Sequence, residues 1–125
     1  MTLALVLWVA AGGLVGAPAR YLLDRAVGDR VESDLPFGTM AVNVSGSLLF
    51  GLLSGLHLGH HLGPSPLALL GTGFCGAFTT FSTFTMETLQ LLEEGELFSA
   101  GLTVAASVVL GLASAAVGVA VGLAL

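Results

Sequence analysis

The chain has 125 residues, of which 55% are hydrophobic and only 9% are charged, whereas roughly a quarter of the residues in an ordinary soluble domain are charged. This composition excludes a water-soluble globular protein and indicates a membrane protein. The eight acidic residues outnumber three arginines, and there is no lysine, so the chain offers neither a basic surface for nucleic acid nor a polybasic patch for anionic lipids.

Four apolar segments follow one another along the chain. A helix needs about 20 apolar residues to cross a hydrocarbon core about 30 Å thick, and we place such spans at residues 3–27, 37–56, 67–92 and 97–125. We interpret the first segment as a retained span and not as a cleaved signal. The sequence therefore predicts an all-α membrane protein in which residues 1–125 form a single four-helix transmembrane domain.

The first span carries small residues at helical spacing and ends in charged ones. Gly12 and Gly16 form a GxxxG pair, which lets a second helix approach closely. Arg20 lies four residues before Asp24, so it either forms an ordinary ion pair at the membrane surface or has a structural role within the membrane. The sequence leaves both interpretations open.

Two of the spans carry a polar stripe. Hydroxyl and amide side chains fall on one helical face in the second span and again in the fourth. These residues are Thr39, Asn43, Ser47 and Ser54 in the second span, and Ser99, Thr103, Ser107 and Ser114 in the fourth. Such faces either hold helices together through hydrogen bonds or line a wet path. Asn43 is the costliest of these side chains to leave unpaired in a membrane.

Histidine and cysteine residues often form metal or catalytic sites in other proteins, but from the sequence we assign no such site to them in this chain. The segment between the second and third spans holds His57, His60 and His61, without an acidic or cysteine partner at metal-site spacing, so we expect a solvated turn. Cys75 has no second cysteine with which to pair and is interpreted as a small packing residue. No nucleophile–base pair is visible, so an enzyme is not indicated.

The third span contains the most unusual stretch, GFCGAFTTFSTFTM at residues 73–86. Its glycines and consecutive hydroxyl residues lower helix propensity, and the hydroxyls compete for backbone groups. We therefore expect a break in the third helix, at mid-membrane, within this stretch. Non-helical backbone at that depth must be buried in protein or line a cavity. Its carbonyls suit a cation, whereas its amides and the nearby hydroxyls suit an anion.

Aromatic residues follow the predicted break. Phe81 and Phe84 are three residues apart, so their rings lie on the same side of the helix. The rings either pack against neighbouring helices or present their positive edges to an anion. Glu87 is similarly ambiguous, because it is either buried beside Thr83, four residues earlier, or marks the end of the helix where the chain meets water.

Four short helices do not easily surround a continuous polar path. No sequence repeat divides the chain into halves, so any symmetry has to come from oligomerisation. A homodimer whose helices jointly enclose the path is therefore the simplest expectation.

The chain resembles the Fluc (CrcB-like) fluoride channel family over essentially its whole length. The matching pieces are GGLVGAPARY at 12–21, FGTMAVNVSGSLLFG at 37–51 and GFCGAFTTFSTFTMET at 73–88. The resemblance implies an antiparallel, dual-topology homodimer in the inner (plasma) membrane that passively exports fluoride through two pores. It also implies one structural sodium ion at the centre of the dimer.

The resemblance further places the helix break from Gly76 to Thr79 and assigns residues to the fluoride path and the sodium site. Phe81 and Phe84 would supply edge-on rings, and Asn43 would donate to fluoride. The remaining implied residues are Ser82, Thr83, Thr103, Ser107 and Ser114 along the path, Arg20 and Glu87 at the pore entrance or in a structural role, and the backbone carbonyls of Gly76 and Thr79 at the sodium ion.

Two alternatives stay open. All three arginines lie in or beside the loop between the first two spans, and such a charge bias favours one orientation in the membrane, so a fixed-topology member of a two-gene pair would also fit. The alternative function is a small four-helix multidrug or cation exporter. Such exporters usually need a carboxylate in the first helix, and no acidic residue precedes Asp24 here.

Overall fold

The computed structural model describes residues 2–125 and contains helices only. Helix α1 is Leu3–Arg30, α2 is Phe37–Leu58 and the last helix, α5, is Leu97–Ala124. Within the described residues, four spans are long and apolar enough to cross a membrane, which confirms the predicted all-α membrane protein. Helices α1 and α2 continue past the predicted ends at residues 27 and 56.

The third span consists of two helical parts. The first part, α3, covers residues 64–78 and begins with Pro64 at its first turn, where the missing N–H of proline costs nothing. Its stretch Leu67–Cys75 is wound as a π-helix. The second part, α4, is Phe81–Glu93.

Between the two parts, the backbone leaves the helical conformation at Thr79 (φ −79°, ψ 156°) and Thr80 (φ −145°, ψ 122°). The predicted start of the break at Gly76 is wrong, because Gly76 is helical (φ −61°, ψ −37°). The glycine only permits a break. The side chains around Thr80 produce it, since they offer the backbone alternative hydrogen bonds; the Thr80 hydroxyl accepts from the Thr83 N–H and so caps α4.

Short connections make consecutive spans antiparallel. The chain reverses at residues 31–36, 59–63 and 94–96. The end of α1, the start of α2, the end of α4 and the start of α5 therefore lie at one end of the bundle, which we call the α1–α2 loop side. A pocket of about 240 Å³ at this end is lined by Leu35 and Pro36 together with Gln90 and Glu94.

Glycines bring α2 and α5 into direct backbone contact. Gly118 and Gly122 of α5 are buried against α2. A Cβ atom added at Gly118 would lie 2.7 Å from the Leu52 nitrogen, and one at Gly122 would lie 2.5 Å from the Leu52 carbonyl oxygen. Such distances leave no room for a side chain, so these glycines set the separation of the two helices.

The GxxxG pair of α1 serves the same purpose against α3. Gly12 and Gly16 are both buried, and a Cβ atom at Gly12 would lie 2.7 Å from the Phe74 nitrogen. This confirms the close approach predicted for the pair. Gly111 of α5 is different, because a Cβ atom there would meet only the Ser47 hydroxyl, at 3.9 Å, so this glycine does not set the separation of the helices.

We predict that Gly118→Ala lowers the midpoint of thermal unfolding in detergent, because the added methyl group has to push α5 away from the α2 backbone. Overpacking of this kind costs about 1–3 kcal/mol. The matched control is Gly101→Ala in the same helix, where a Cβ atom meets nothing within 4 Å and the better helix propensity of alanine is expected to raise the midpoint slightly. Equal midpoints for both variants would contradict the packing role of Gly118.

Candidate functional site

A polar cavity of about 220 Å³ lies where α1, α2 and the break in the third span meet. Most of its lining side chains carry hydrogen-bond donors, although the spans around it are predominantly apolar. The lining consists of Arg20, Tyr21, Asp24, Thr39, Thr80 and Thr83, with Ala17 and Val42 as the apolar members. The fold thus collects three threonines, one cation and one carboxylate, which are far apart in the sequence.

Asn43 holds the break in place. Its side-chain nitrogen donates to the Thr80 carbonyl oxygen at 2.8 Å, and its side-chain oxygen accepts from the Thr80 N–H at 2.8 Å. Both backbone groups of Thr80 are therefore satisfied by one amide. The amide nitrogen carries two hydrogens, so one remains for another acceptor. Asn43 thus joins two helices through hydrogen bonds, the first interpretation of the polar face of α2, and keeps one donor.

Arg20 reaches the other residue of the break. Its guanidinium donates to the Thr79 carbonyl oxygen at 3.4 Å, and the side chain is half-buried. The alternative of an Arg20–Asp24 ion pair is not seen among residues 2–125, where the salt bridge that forms joins Arg25 and Asp29 at 3.9 Å on the surface. Arg20 therefore places a positive charge beside the interrupted backbone.

The hydroxyl groups at the start of α4 form a short connected chain. Thr80 donates from its hydroxyl to the Thr83 hydroxyl at 3.1 Å and accepts from the Thr83 N–H at 3.2 Å. The Ser82 hydroxyl lies 3.4 Å from that of Thr80. Because Thr83 accepts the hydrogen of Thr80, its own hydroxyl hydrogen is free to point at a ligand in the cavity.

Glu87 bonds to α2 and is half-buried. Thr39, which is 2% exposed, donates to the Glu87 Oε1 atom at 3.0 Å. The other oxygen, Oε2, is buried and has no hydrogen-bond partner among the described residues. The partner of Glu87 is therefore Thr39 and not Thr83, and the sequence spacing had not indicated this link between α2 and α4.

The two phenylalanines do not line the polar cavity of this chain. The rings of Phe81 and Phe84 lie side by side, with their centroids 5.9 Å apart and their planes inclined at 46°. Phe84 is half-buried, but Phe81 is 78% exposed. The rings thus share one side of α4, and within a single chain that side is open.

The polar stripe of α5 is also separate from the cavity. Thr103 is fully buried and donates to the Ser99 carbonyl oxygen at 2.8 Å. Ser114 is half-buried. The Ser107 hydroxyl is buried without a partner among residues 2–125, so it is the member of the stripe that has a hydrogen bond left to make.

A second concave surface, of about 410 Å³, runs along α2 and α3. Gly76 and Thr79 line it together with Ser47 and with Cys75, whose side chain is otherwise buried. A Cβ atom added at Gly76 would meet nothing within 4 Å, so the backbone there faces open space. We call this surface the Gly76 groove.

The histidines lie away from both features. His57 and His60 line a separate pocket in the turn between α2 and α3, and the His57 Nδ1 atom lies 2.8 Å from the Leu62 carbonyl oxygen. This bond ties the turn together. The part of the chain that the structure describes contains no group of three His, Cys, Asp or Glu side chains arranged to hold a metal ion.

Comparisons with known proteins agree on one family. The family described as "CrcB-like protein, Camphor Resistance (CrcB)" matches residues 7–119. The "Fluoride-specific ion channel FluC 1" of Streptomyces avermitilis is 50% identical over 113 residues, which cover 90% of this chain and 91% of the relative.

Two further relatives have similar coverage. The "Fluoride-specific ion channel FluC" of Shewanella amazonensis is 47% identical, over 84% of this chain and 85% of the relative. The "Fluoride-specific ion channel FluC 2" of Mycobacterium tuberculosis is 44% identical, over 94% and 90%. These relatives are named as ion channels and not as enzymes, which confirms the prediction that the chain is not an enzyme. The chain is therefore a multi-pass membrane protein that belongs to the CrcB-like family.

Proposed function

We propose that the protein is a fluoride-selective ion channel through which fluoride leaves the cytoplasm passively, across the inner (plasma) membrane. The observation that carries the proposal is the break at Thr79 and Thr80, which Asn43 holds open beside a cavity rich in donors. The names of the relatives, at 44–50% identity over most of the chain, supply the identity of the ion.

The chemistry of the cavity suits a small anion. Fluoride binds water strongly, so a pore has to replace that water with other hydrogen-bond donors. The free hydroxyl hydrogen of Thr83 in the cavity is such a donor, and the free amide hydrogen of Asn43 is a second one beside it, next to Thr80. The Arg20 guanidinium attracts the anion towards them. Each donor is weak by itself, and binding of moderate strength lets an ion leave again, as conduction requires.

The aromatic side of α4 supports a dimer. Phe81 is 78% exposed beside Phe84, so within one chain these rings cannot enclose an ion. A second copy in antiparallel orientation would cover them, and their positive edges would then line a narrow passage. Ser82 and the stripe Thr103, Ser107 and Ser114 would supply further hydroxyls along it. Two copies give two such pathways in this proposal.

The backbone of the break fits a sodium ion. In a continuous helix the Gly76 carbonyl would accept from the Thr80 N–H, but that N–H bonds to Asn43 instead, so the carbonyl is left with a free lone pair at the C-terminal end of α3. Helix C-termini carry partial negative charge and favour cations. The Gly76 and Thr79 carbonyls of two copies would hold a structural sodium ion where two Gly76 grooves meet.

The positions of the arginines affect how the chain is oriented in the membrane. Arg25 and Arg30 both lie near the α1–α2 loop side, which favours placing that side in the cytoplasm. Because the half-buried Arg20 is less available to the loop, the bias rests on these two residues, and we retain dual topology over a two-gene pair. A tag that is accessible from one side of the membrane only would decide against dual topology.

The function is tested by fluoride efflux from liposomes that contain the purified protein, measured with a fluoride electrode. We expect rapid fluoride efflux and no chloride efflux under the same gradient. Equal chloride efflux would contradict selectivity, and transport of organic cations in place of fluoride would support the exporter alternative.

We predict that Phe81→Ile and Phe84→Ile each abolish fluoride efflux while the dimer stays assembled, because isoleucine keeps the apolar volume but lacks an aromatic edge. The matched control is Phe98→Ile, which replaces a ring that is 83% exposed at the start of α5 and is expected to leave efflux unchanged. Wild-type flux in both test variants would contradict the aromatic-edge proposal.

We predict that Asn43→Ala reduces efflux strongly and also lowers stability, because both backbone groups of Thr80 lose their partners. Leaving a buried polar group unpaired costs about 1–3 kcal/mol. Thermal unfolding in detergent and the fluoride electrode measure the two effects separately. His60→Ala, in the turn, is the control and is expected to change neither quantity. An unaltered unfolding midpoint for Asn43→Ala would show that the Thr80 bonds do not hold the break.

We predict that Arg20→Gln lowers fluoride flux about tenfold, because unit charges about 10 Å apart attract by about 1.7 kcal/mol at an effective dielectric constant of about 20. Arg25→Gln is the matched control, since Arg25 is an exposed arginine in a surface ion pair. Flux is measured at low and high salt, and only the Arg20 effect is expected to persist, because Arg20 is half-buried and poorly screened. Equal losses in both variants would contradict a local role for Arg20.

A further inference from the structure

Two histidines share one pocket in the turn between α2 and α3. The pocket has a volume of about 390 Å³. Its polar side chains are those of His57, which is half-buried in the last turn of α2, and His60, which is exposed in the turn itself. The sequence offered these histidines no acidic or cysteine partner, but the turn brings the two of them into one pocket. The remaining lining residues are Leu58, Leu62, Gly63 and Pro64.

The hydrogen bond of His57 decides which of its ring nitrogens is free. Its Nδ1 atom lies 2.8 Å from the Leu62 carbonyl oxygen. A carbonyl oxygen only accepts, so in the neutral ring Nδ1 carries the hydrogen and Nε2 carries the lone pair. The Nε2 atom has no hydrogen-bond partner among residues 2–125. Histidines that bind metal ions have this arrangement, because the nitrogen that does not bind the metal donates to a carbonyl or a carboxylate.

The backbone holds His60 in a conformation that few residues adopt. Its φ angle is 63°, the only positive φ of a non-glycine residue among residues 2–125. The His60 N–H donates to the His57 carbonyl oxygen at 3.0 Å, and the His61 N–H donates to the Leu56 carbonyl oxygen at 2.8 Å. Glycine is the usual residue at this position of a helix end, so a histidine there is strained. Strain of this kind is concentrated at functional sites, and here it fixes His60 one turn after His57.

The helix ends around the pocket favour a cation over an anion. The C-terminal end of α2 brings partial negative charge. The N-terminal end of α3 would bring partial positive charge, but Pro64 and Pro66 remove two of the N–H groups in its first turn. No arginine lines the pocket. Two imidazoles at the C-terminal end of a helix suit a divalent transition-metal ion, for which imidazole is a preferred ligand.

We propose that His57 and His60 bind one divalent transition-metal ion of the zinc, nickel and copper class in this pocket. The His57 Nε2 atom and one ring nitrogen of His60 are the protein ligands, and water completes the coordination. The site takes copper(II) most tightly, as the general order of divalent metal affinities predicts. His61 does not line the pocket and takes no part. The site shares no residue with the polar cavity, so it does not depend on the proposed transport function.

The test uses copper(II) as the probe and the purified full-length protein in detergent, after removal of any affinity tag. Pulsed electron paramagnetic resonance counts the imidazole nitrogens bound to the ion, and isothermal titration calorimetry measures affinity and stoichiometry. His61→Ala is the matched control, because His61 is also exposed in the same turn but lies outside the pocket. The double variant His57→Ala/His60→Ala gives the background from other copper ligands, such as the N-terminal amine.

We expect one copper ion per chain, bound by two imidazole nitrogens. His57→Ala and His60→Ala are each expected to leave a single imidazole and to weaken binding about a hundredfold, because the second imidazole binds within the same molecule. His61→Ala is expected to bind copper as the wild type does. His60→Gly separates binding from folding, since glycine adopts a positive φ without strain. It is expected to lose tight copper binding while the midpoint of thermal unfolding stays the same or rises.

Any of four results would overturn the proposal. The first is copper bound through a single imidazole in the wild type, and the second is wild-type binding no tighter than that of the double variant. The third is an equal loss of affinity in His60→Ala and His61→Ala, which would indicate exposed histidines that bind copper without a defined site. The fourth is two-imidazole binding at wild-type affinity in His60→Gly.

Discussion

The pair of hydrogen bonds between Asn43 and the backbone of Thr80 is the contact on which the rest of the site depends. An interrupted helix exposes backbone groups, and within a membrane no water is available to satisfy them. One amide side chain supplies the donor and the acceptor that Thr80 has lost. Because Thr80 bonds to Asn43, the carbonyl of Gly76 has no helical partner, the Thr79 carbonyl turns towards Arg20, and the Thr80 hydroxyl is free to start α4. The backbone of Thr80 is thus fully hydrogen-bonded at the break. The backbone and hydroxyl groups that this releases lie close together.

That contact requires α2 to be held in a fixed position, and glycines provide this. Gly118 and Gly122 bring α5 onto the backbone of α2, and Gly12 and Gly16 bring α1 onto α3. Backbones at contact distance leave little freedom to slide or rotate, and van der Waals packing of this kind is what drives helix association in a membrane. The face of α2 that carries Asn43 is therefore held against the break without a large buried apolar core. Most of the large apolar side chains are exposed, as suits a protein that lipid surrounds.

Helix α2 presents a different chemistry on each of its sides. Thr39 lines the polar cavity and Asn43 bonds to the break beside it, while Ser47 lines the Gly76 groove. The side that carries Phe37 and Val44 is apolar and forms one wall of an open groove. In the proposed dimer, these sides would correspond to the ion path, the contact with the second copy and the contact with lipid. One helix of 22 residues would then organise all three.

The sequence by itself determined the four spans, the close approach at Gly12 and Gly16, and the family, because hydropathy, small-residue spacing and local motifs are read from neighbouring residues. It also indicated that the stretch after Gly73 is special. Only the tertiary structure decided where the helix is interrupted and what each polar group bonds to. Gly76 looked like the weak point but is helical, since the break follows a partner on another helix, 37 residues away in the chain. Arg20 appeared equally suited to pair with Asp24, and Glu87 to lie beside Thr83, because both partners are one helical turn away. In the structure Arg20 reaches Thr79 and Glu87 reaches Thr39. Helical spacing predicts which side chains share a face, but the choice between a neighbour on that face and a group on another helix depends on how the helices are packed.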